Sequence, residues 1–423
     1  MNAVGLARWQ FATTSIYHFL FVPVTIGLAF LTAILQTQWH RNGKSEYLRL
    51  TRFFGTLLVI NVAVGVVTGL VQEFQFGMSW SEYSRTVGDV FGAPLAMEGL
   101  AAFFLESTFL GLWIFGWGRL PKRIHLLTIW AVLTNPLFLW AYGHVLLAAL
   151  VTGGALMLAV SAWHLRRRSD APAFRKTARI ALLVLVPATF LAMIVGSELG
   201  VSGDHYQPMK IAAGEALWNT AQPASFTLFQ IGGYTATDPT PSFAIKVPHL
   251  LSVLATNSWN GKVVGMNAIQ AQYQQRYGPG DYRPNVFIAF WSIRGMAYLA
   301  GLVFLLALWG VWLLRRKTIE QSTWFLHLAV WAVLIPFLMN TLGWILTENG
   351  RQPWIVQGLQ LTRNGVSPTV SATVLGLSIA VFVLLYGVMA LVDAVLMIRF
   401  ARRPLGPTPQ LDEHDVPVPA MSY

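Results

Sequence analysis

The stretch VFIAFWSIRGMAYLAGLVFLLALWGVWLLRRK at residues 286–317 decides the fold. From 286 to 314 it carries a single charge, Arg294, and it ends on Arg315, Arg316 and Lys317. About 20 apolar residues cross the hydrocarbon core of a bilayer as a helix. A basic triplet directly after such a run marks a cytoplasmic helix end. The run is continuous, whereas the strands of a membrane barrel alternate apolar and polar residues.

Comparable runs lie at 12–36, 53–72, 94–116, 177–199, 323–346 and 369–399, with a longer one at 124–163. Of the 423 residues 55% are hydrophobic and 11% are charged, with a mean hydropathy of +0.54. A soluble domain carries about 25% charged residues, so the charges here are too few to cover a soluble surface. The composition fits neither a disordered chain nor a disulfide scaffold. The chain reads as an all-α integral membrane protein. It contains no cysteine, which excludes disulfides, thiolate metal sites, cysteine nucleophiles and cysteine-ligated iron–sulfur clusters. The start lacks the pattern of a cleaved signal peptide, so the first apolar run is expected to remain. No internal repeat is visible.

The net charge of +11 would suggest nucleic acid on a soluble protein. Here the basic residues fall between the spans, and no nucleic-acid partner is expected. The clusters are Arg41, Lys44, Arg49 and Arg52; Arg119, Lys122 and Arg123; Arg166, Arg167, Arg168, Arg175, Lys176 and Arg179; Arg315, Arg316 and Lys317; and Arg399, Arg402 and Arg403. If all five are cytoplasmic, the N-terminus lies outside, the C-terminus lies inside, and the number of spans is odd. The second and third clusters then need an even number of spans between them. About 40 residues would be consumed by two spans with no turn. The one breaker, Thr134-Asn135-Pro136, leaves 124–133 as a stub of about 15 Å. Either the positive-inside rule fails at this point or a section of chain is missing near 132–133, and we expect the second. The natural total is then nine transmembrane helices, with the fourth incomplete.

Four regions follow. Residues 1–199 form an N-terminal helical membrane region, interrupted near 132–133. Residues 200–285 form an extracytoplasmic loop rich in Pro, Gly, Asn, Gln and Tyr, and residues 286–403 form a C-terminal helical membrane region. Residues 404–423 are expected to be a disordered cytoplasmic tail.

Ionisable side chains inside spans are costly and need a partner or a task. His18, Glu98, His144 and Met296 each follow an outer entry within about ten residues by this topology, and Glu348 closes a span on the same side. Glu106 lies eight residues after Glu98, two turns away. Asp393 lies deeper. Singly, each has an ordinary explanation: a helix-packing histidine, a core methionine, or an ion pair of Glu348 with Arg351. Together they place candidate iron ligands at one level, and a His and a Met from different helices suit a six-coordinate haem iron.

At these residues the chain resembles subunit I, the large subunit, of cytochrome bd-type quinol oxidases. The matching stretches are RWQFATTSIYHFLFVP, VQEFQFGMSWSEYSRTVGDVFGAPLAMEGLAAFFLEST, the His144 segment, QPASFTLF and GRQPW. The resemblance implies a bacterial cytoplasmic-membrane enzyme with nine spans and three haems near the outer face: two haem b and one haem d, or a third haem b in its place. By this resemblance His144 and Met296 are the axial ligands of the low-spin haem b. His18 and Glu348 are those of the two high-spin haems, the order left open. Glu98 is the carboxylate beside the oxygen-reducing haem, and Glu106 is tied to charge compensation and proton delivery. Arg8, Arg294 and Arg351 neighbour haem propionates and ligands, and Trp344 stands between haems. Lys210 and Glu215 are the functional pair of a quinol-binding loop, here of the short-loop branch.

The same resemblance implies a second membrane subunit, small single-span subunits in some members, quinone and membrane lipid as partners. The substrate is ubiquinol or menaquinol. Quinol oxidation at the outer face, oxygen reduction to water at a high-spin haem pair, and proton uptake from the cytoplasm without a pump are the implied chemistry. Two departures are visible: the section near 132–133 is absent, and Thr56 stands where the family commonly carries Lys. The competing readings are a proton-coupled transporter, which would need broken helices or paired repeats, and a haem-free scaffold subunit.

Overall fold

A computed structural model describes residues 2–97, 111–114, 116–117, 120–132 and 141–406. In chain order the helices are α1 (Ala3–Asn42), α2 (Ser45–Met78), α3 (Ser81–Met97), α4 (Lys122–Val132), α5 (Ala141–Arg166), α6 (Ala171–Tyr206) and α7 (Pro208–Gly214). After strands β1 (Phe226–Gly232) and β2 (Pro241–Val247) come α8 (Leu250–Thr256), α9 (Met266–Tyr277), α10 (Val286–Arg315), α11 (Thr323–Trp331) and α12 (Leu334–Gly350). A short hairpin of β3 (Trp354–Val356) and β4 (Gln360–Leu361) precedes α13 (Ala372–Ala401).

Among the described residues seven helical segments are long and apolar enough to cross a membrane: α1, α2, α5, α6, α10, α11 with α12, and α13. The remaining two expected spans fall on 94–116 and on the start of the 124–163 run, much of which lies outside the described residues. In that second stretch the described part of α4 has 11 residues, about 16 Å of helix.

Local chemistry sets the helix ends. Asn2 caps α1 by accepting from the Gly5 N–H at 2.9 Å. Gly43, at φ 63°, closes it in the left-handed conformation that glycine adopts without strain. Asn285 and Ser371 cap α10 and α13 in the same way as Asn2. The run at 323–346 breaks between α11 and α12, at residues 332–333. Pro336 explains this, since its ring clashes with the carbonyl four residues back and it has no N–H to offer.

Packing centres on α1, which contacts α2, α4, α5, α12 and α13; α6 contacts α5, α10 and α7. Buried Leu28, Leu31, Leu35, Phe54, Leu57 and Phe174 belong to one apolar core across these helices. The α1–α5 crossing is backbone to backbone. A Cβ on Gly27 would lie 2.8 Å from the Gly153 Cα, and one on Gly153 would lie 2.6 Å from the Gly27 Cα. Close crossings at small residues are how membrane helices gain contact without a hydrophobic drive.

The two ends of the bundle differ. At one end the basic clusters meet acidic partners: Arg49 bonds Asp170 at 3.3 Å, Lys176 pairs with Glu46, and Arg175 pairs with Glu320. Arg49 also donates to the carbonyls of Leu405 and Gly406, and Arg52 lies over the Trp117 ring at 5.1 Å. The opposite end carries residues 207–285. That segment is folded: three short helices and a two-stranded antiparallel sheet pairing Phe226 with Val247 and Gln230 with Ala244. The all-α reading therefore holds for the spans, while the loop end adds two small hairpins. Where the backbone of this segment is buried, sheet pairing satisfies it.

Candidate functional site

His18 sits on α1 and faces α2. Its Nδ1 lies 2.9 Å from the Thr68 hydroxyl, and a Cβ on Gly69 would come within 3.1 Å of its Cε1. Next to it, Phe19 stacks on Trp344 of α12, with centroids 5.8 Å apart and planes 22° apart. The Trp344 indole N–H is buried and has no acceptor among the described residues. Trp344 lies one turn before Glu348, so α1 and α12 meet at the level of these residues.

Met296 on α10 packs against the same part of α12: a Cβ on Gly343 would lie 3.0 Å from its Sδ. His144 on α5 faces α6, where a Cβ on Gly196 would lie 3.2 Å from its Cε1. Its Nδ1 is buried without a partner among the described residues. Met296 follows the start of α10 at Val286, and Gly196 precedes the end of α6 at Tyr206, each by ten residues, about 15 Å of helix. Both helices meet the loop at that end, so these two side chains share a depth.

Glu348 and Arg351 sit at the end of α12. Both Arg351 bonds fall on one oxygen, Glu348 Oε2, the longer at 3.0 Å from Nε. Arg351 also donates to the Ile355 carbonyl at 3.1 Å. Arg8 of α1 feels the Glu348 charge. With Tyr282, Gln352 and Arg363 it lines a cavity of about 210 Å³. Lys210 on α7 lies against Gly350, where a Cβ would approach its Cγ to 2.6 Å. Burial lowers the Lys210 pKa below the ordinary lysine value; Arg351 adds to this and Glu348 opposes it.

Glu215 ends α7 and is buried against Arg294 of α10. Arg294 Nη2 donates to Glu215 Oε2 at 2.8 Å, Nη1 to the Gly214 carbonyl at 2.7 Å, and Nε to the Thr227 carbonyl at 2.7 Å. The guanidinium also stacks on Phe290, 3.5 Å from its centroid. Burial pushes the Glu215 carboxyl above the usual range, with the Arg294 charge opposing. Lys210 and Glu215 thus have different neighbours: Lys210 lies against Gly350, within the field of Arg351 and Glu348, and Glu215 meets Arg294. Glu98 and Glu106 lie outside the described residues. Asp393 lies on α13 with Oδ1 buried and unpartnered among the described residues. It follows Tyr386, whose ring stacks on Tyr17 at 4.5 Å.

Among the described residues no three His, Cys, Asp or Glu side chains converge as a metal cage. The donor set suits a macrocycle instead, since haem brings its own equatorial nitrogens and needs only axial ligands from the protein. His18, His144 and Met296, each from a different helix and each opposite a glycine, have that character, and Trp344 beside Phe19 adds a buried donor with no acceptor among the described residues.

Sequence reading did not single out Thr68, Gly69, Gly196, Gly343 or Phe19. A signal for the first two was present: Gly65-Val66-Val67-Thr68-Gly69 is a GxxxG pattern, which brings helix backbones close.

Comparison with known proteins gives the family and the fold. The family described as cytochrome bd terminal oxidase subunit I matches residues 6–134 and 126–405. The chain is 42% identical over 465 residues to the cytochrome bd ubiquinol oxidase subunit 1 of Bacillus subtilis, covering 99% of this chain and 97% of the relative. It is 32% identical to the cytochrome bd-II ubiquinol oxidase subunit 1 of Escherichia coli, covering 97% and 98%. Its fold is similar to that of the bd oxidase from Geobacillus thermodenitrificans, with a TM-score of 0.83, 26% identity, and 95% and 99% of the two chains covered. The chain belongs to the cytochrome bd terminal oxidase subunit I family.

Proposed function

We propose that this chain is the haem-bearing subunit of a quinol:oxygen oxidoreductase in a bacterial cytoplasmic membrane, working with a second membrane subunit. The observation that carries the reading is the set of His18, His144 and Met296, each held against a glycine of a neighbouring helix. Small single-span subunits and membrane lipid complete the expected assembly. The names of the relatives support a quinol substrate, two of them ubiquinol and a third, 26% identical, a putative menaquinol oxidase.

His144 and Met296 would hold the low-spin haem b. His18 and Glu348 would hold the two high-spin haems, one of them haem d or a third haem b. Arg351 donates to Glu348 Oε2 and would orient that carboxylate. When bound, the haems supply one-electron transfer and the iron site at which dioxygen is reduced to water. The chain's part is orientation and proton handling. Arg8 and Arg351 offer positive charge to propionates, and Trp344 fills the space between α1 and α12.

Quinol meets the segment 200–285, where Lys210, as an ammonium, polarises a quinol oxygen. Glu215 holds Arg294 and with it the loop. The quinol protons leave on the outer side. Protons for water formation enter from the cytoplasm by a path that includes Glu98 and Glu106. Charge separation comes from this sidedness, with no pump. Four regions organise the chain: membrane helices over 1–199 and 286–403, the loop over 200–285, and a cytoplasmic tail over 404–423. The five basic clusters support an outside N-terminus and a cytoplasmic C-terminus. The missing section near 132–133 is supported by the family match, which comes in two pieces that overlap at 126–134.

A visible spectrum of the purified oxidase tests the proposal. Reduced-minus-oxidised bands of low-spin and high-spin haem are expected, with full reduction by a quinol. Absence of haem bands would return the chain to the scaffold reading.

A further inference from the structure

Thr68 is fully buried on α2, inside the GVVTG segment where α1 and α2 approach closely. A Cβ on Gly65 would lie 3.3 Å from the Phe21 Cβ, and one on Gly69 would lie 3.1 Å from the His18 ring. At this crossing the Thr68 hydroxyl makes two contacts: it donates to the Gly65 carbonyl at 2.8 Å, and it lies 2.9 Å from His18 Nδ1.

A hydroxyl has one proton to give. Both contacts are hydrogen bonds at once only when that proton goes to the Gly65 carbonyl, which has none of its own to give. In that arrangement the Thr68 oxygen presents a lone pair toward His18 and Nδ1 is the donor. His18 is then the Nδ1–H tautomer, with the lone pair on Nε2. The second bond partner of the threonine, and not the histidine, decides which ring nitrogen is free.

We propose that Thr68 is the positioning residue of His18: it fixes the ring, selects Nε2 as the iron-binding atom, and raises its electron-donor strength. The proposal rests on His18 being an axial ligand. A donor bond from the far nitrogen increases ligand basicity and holds the ring plane. Stronger donation favours the ferric state, so Thr68 lowers the midpoint potential of the haem bound by His18. Tyr386 of α13, with its hydroxyl 3.5 Å from the Thr68 carbonyl and its ring stacked on Tyr17, braces the same turn from the other side. The effect of losing such an outer partner is typically about 10- to 100-fold in affinity for the bound metal group.

The test is made on the intact oxidase with four variants, read by the iron–histidine stretching band in resonance Raman and by a redox titration. Thr68→Val keeps the shape and removes the acceptor; the band should move to lower frequency and the potential of that haem should rise. Thr68→Ser should restore both, and Thr68→Cys, a weaker acceptor, should fall between. Should Thr68→Val assemble without haem, the cysteine variant carries the comparison. His18→Ala should abolish the band. A band that survives His18→Ala removes the ligand reading itself. A band that vanishes there but keeps its frequency and potential in Thr68→Val and Thr68→Cys overturns the role of Thr68 alone.

Discussion

Arg294 Nη2 and Glu215 Oε2 are 2.8 Å apart, and both side chains are almost wholly withdrawn from solvent. The pair joins the segment 207–285 to α10 two residues before Met296. Three further guanidinium protons go to the Gly214, Thr227 and Phe290 carbonyls, so one side chain ties α7 and β1 to the membrane helix. Taking two charges out of water is costly, and here the opposite charge and three carbonyls offset that cost; removing one partner of the pair leaves an uncompensated buried charge, at about 3–5 kcal/mol.

Glu215→Gln keeps the shape of the carboxylate and removes its charge. The loop should loosen, with faster proteolysis within 207–285. Quinol oxidation should fall far more than oxidation of an artificial reductant that bypasses the loop. Equal losses with the two reductants would argue against a quinol site at this segment.

Much of this was legible in the chain alone, for a physical reason. Spans announce themselves because hydrocarbon tolerates few polar groups, so His18, His144, Arg294, Met296 and Glu348 stand out against an apolar background. The five basic clusters could be read as one end of the bundle, and Arg49, Asp170, Arg175 and Glu320 do meet there. Pairings across helices were not legible. Lys210 and Glu215 are five residues apart and invite a joint role, yet α7 turns one toward Gly350 and the other into Arg294. Thr68 was passed over because a single threonine in a span is unremarkable until its neighbour across the crossing is known. The folded structure of 207–285 was hidden for another reason: its short strands and helices carry no long periodic pattern.

Met296→Leu should remove the thioether without changing volume much. The low-spin spectrum should be lost while carbon monoxide still binds a high-spin centre. An unchanged low-spin signal would refute Met296 as ligand. Gly343→Ala places a methyl about 3.0 Å from the Met296 Sδ, so it should perturb the same spectrum without removing a donor.

The α1–α5 crossing predicts stability more than function. Gly153→Val drives a side chain into the Gly27 backbone, and overpacking of this kind costs about 1–3 kcal/mol. Thermal denaturation of the assembled oxidase should shift down. Gly301→Ala on α10, with open space around its Cβ position, is the matched control and should leave the denaturation temperature unchanged or slightly higher, since Ala favours helix over Gly by about 1 kcal/mol.

Lys210 gives the pH dependence. Burial lowers its pKa, and the nearby Arg351 charge lowers it further. Below the depressed value the ammonium is present; it is lost as pH rises through that value, short of the ordinary lysine range. Folding stability runs the other way. Between the depressed value and the unfolded one the unfolded chain binds the extra proton, so the folded state gains stability with rising pH. If the cation polarises the quinol, quinol oxidation should fall on the alkaline side while the protein stays folded. Lys210→Arg carries a guanidinium that remains charged across this range, so the alkaline fall should move to higher pH, whereas Lys210→Met should lower the rate at every pH. A profile with the same alkaline limb in the wild type and in Lys210→Arg would place the responsible group elsewhere. Measuring kcat/KM for quinol against pH in the three proteins, with circular dichroism at each pH, separates the loss of the cation from any unfolding.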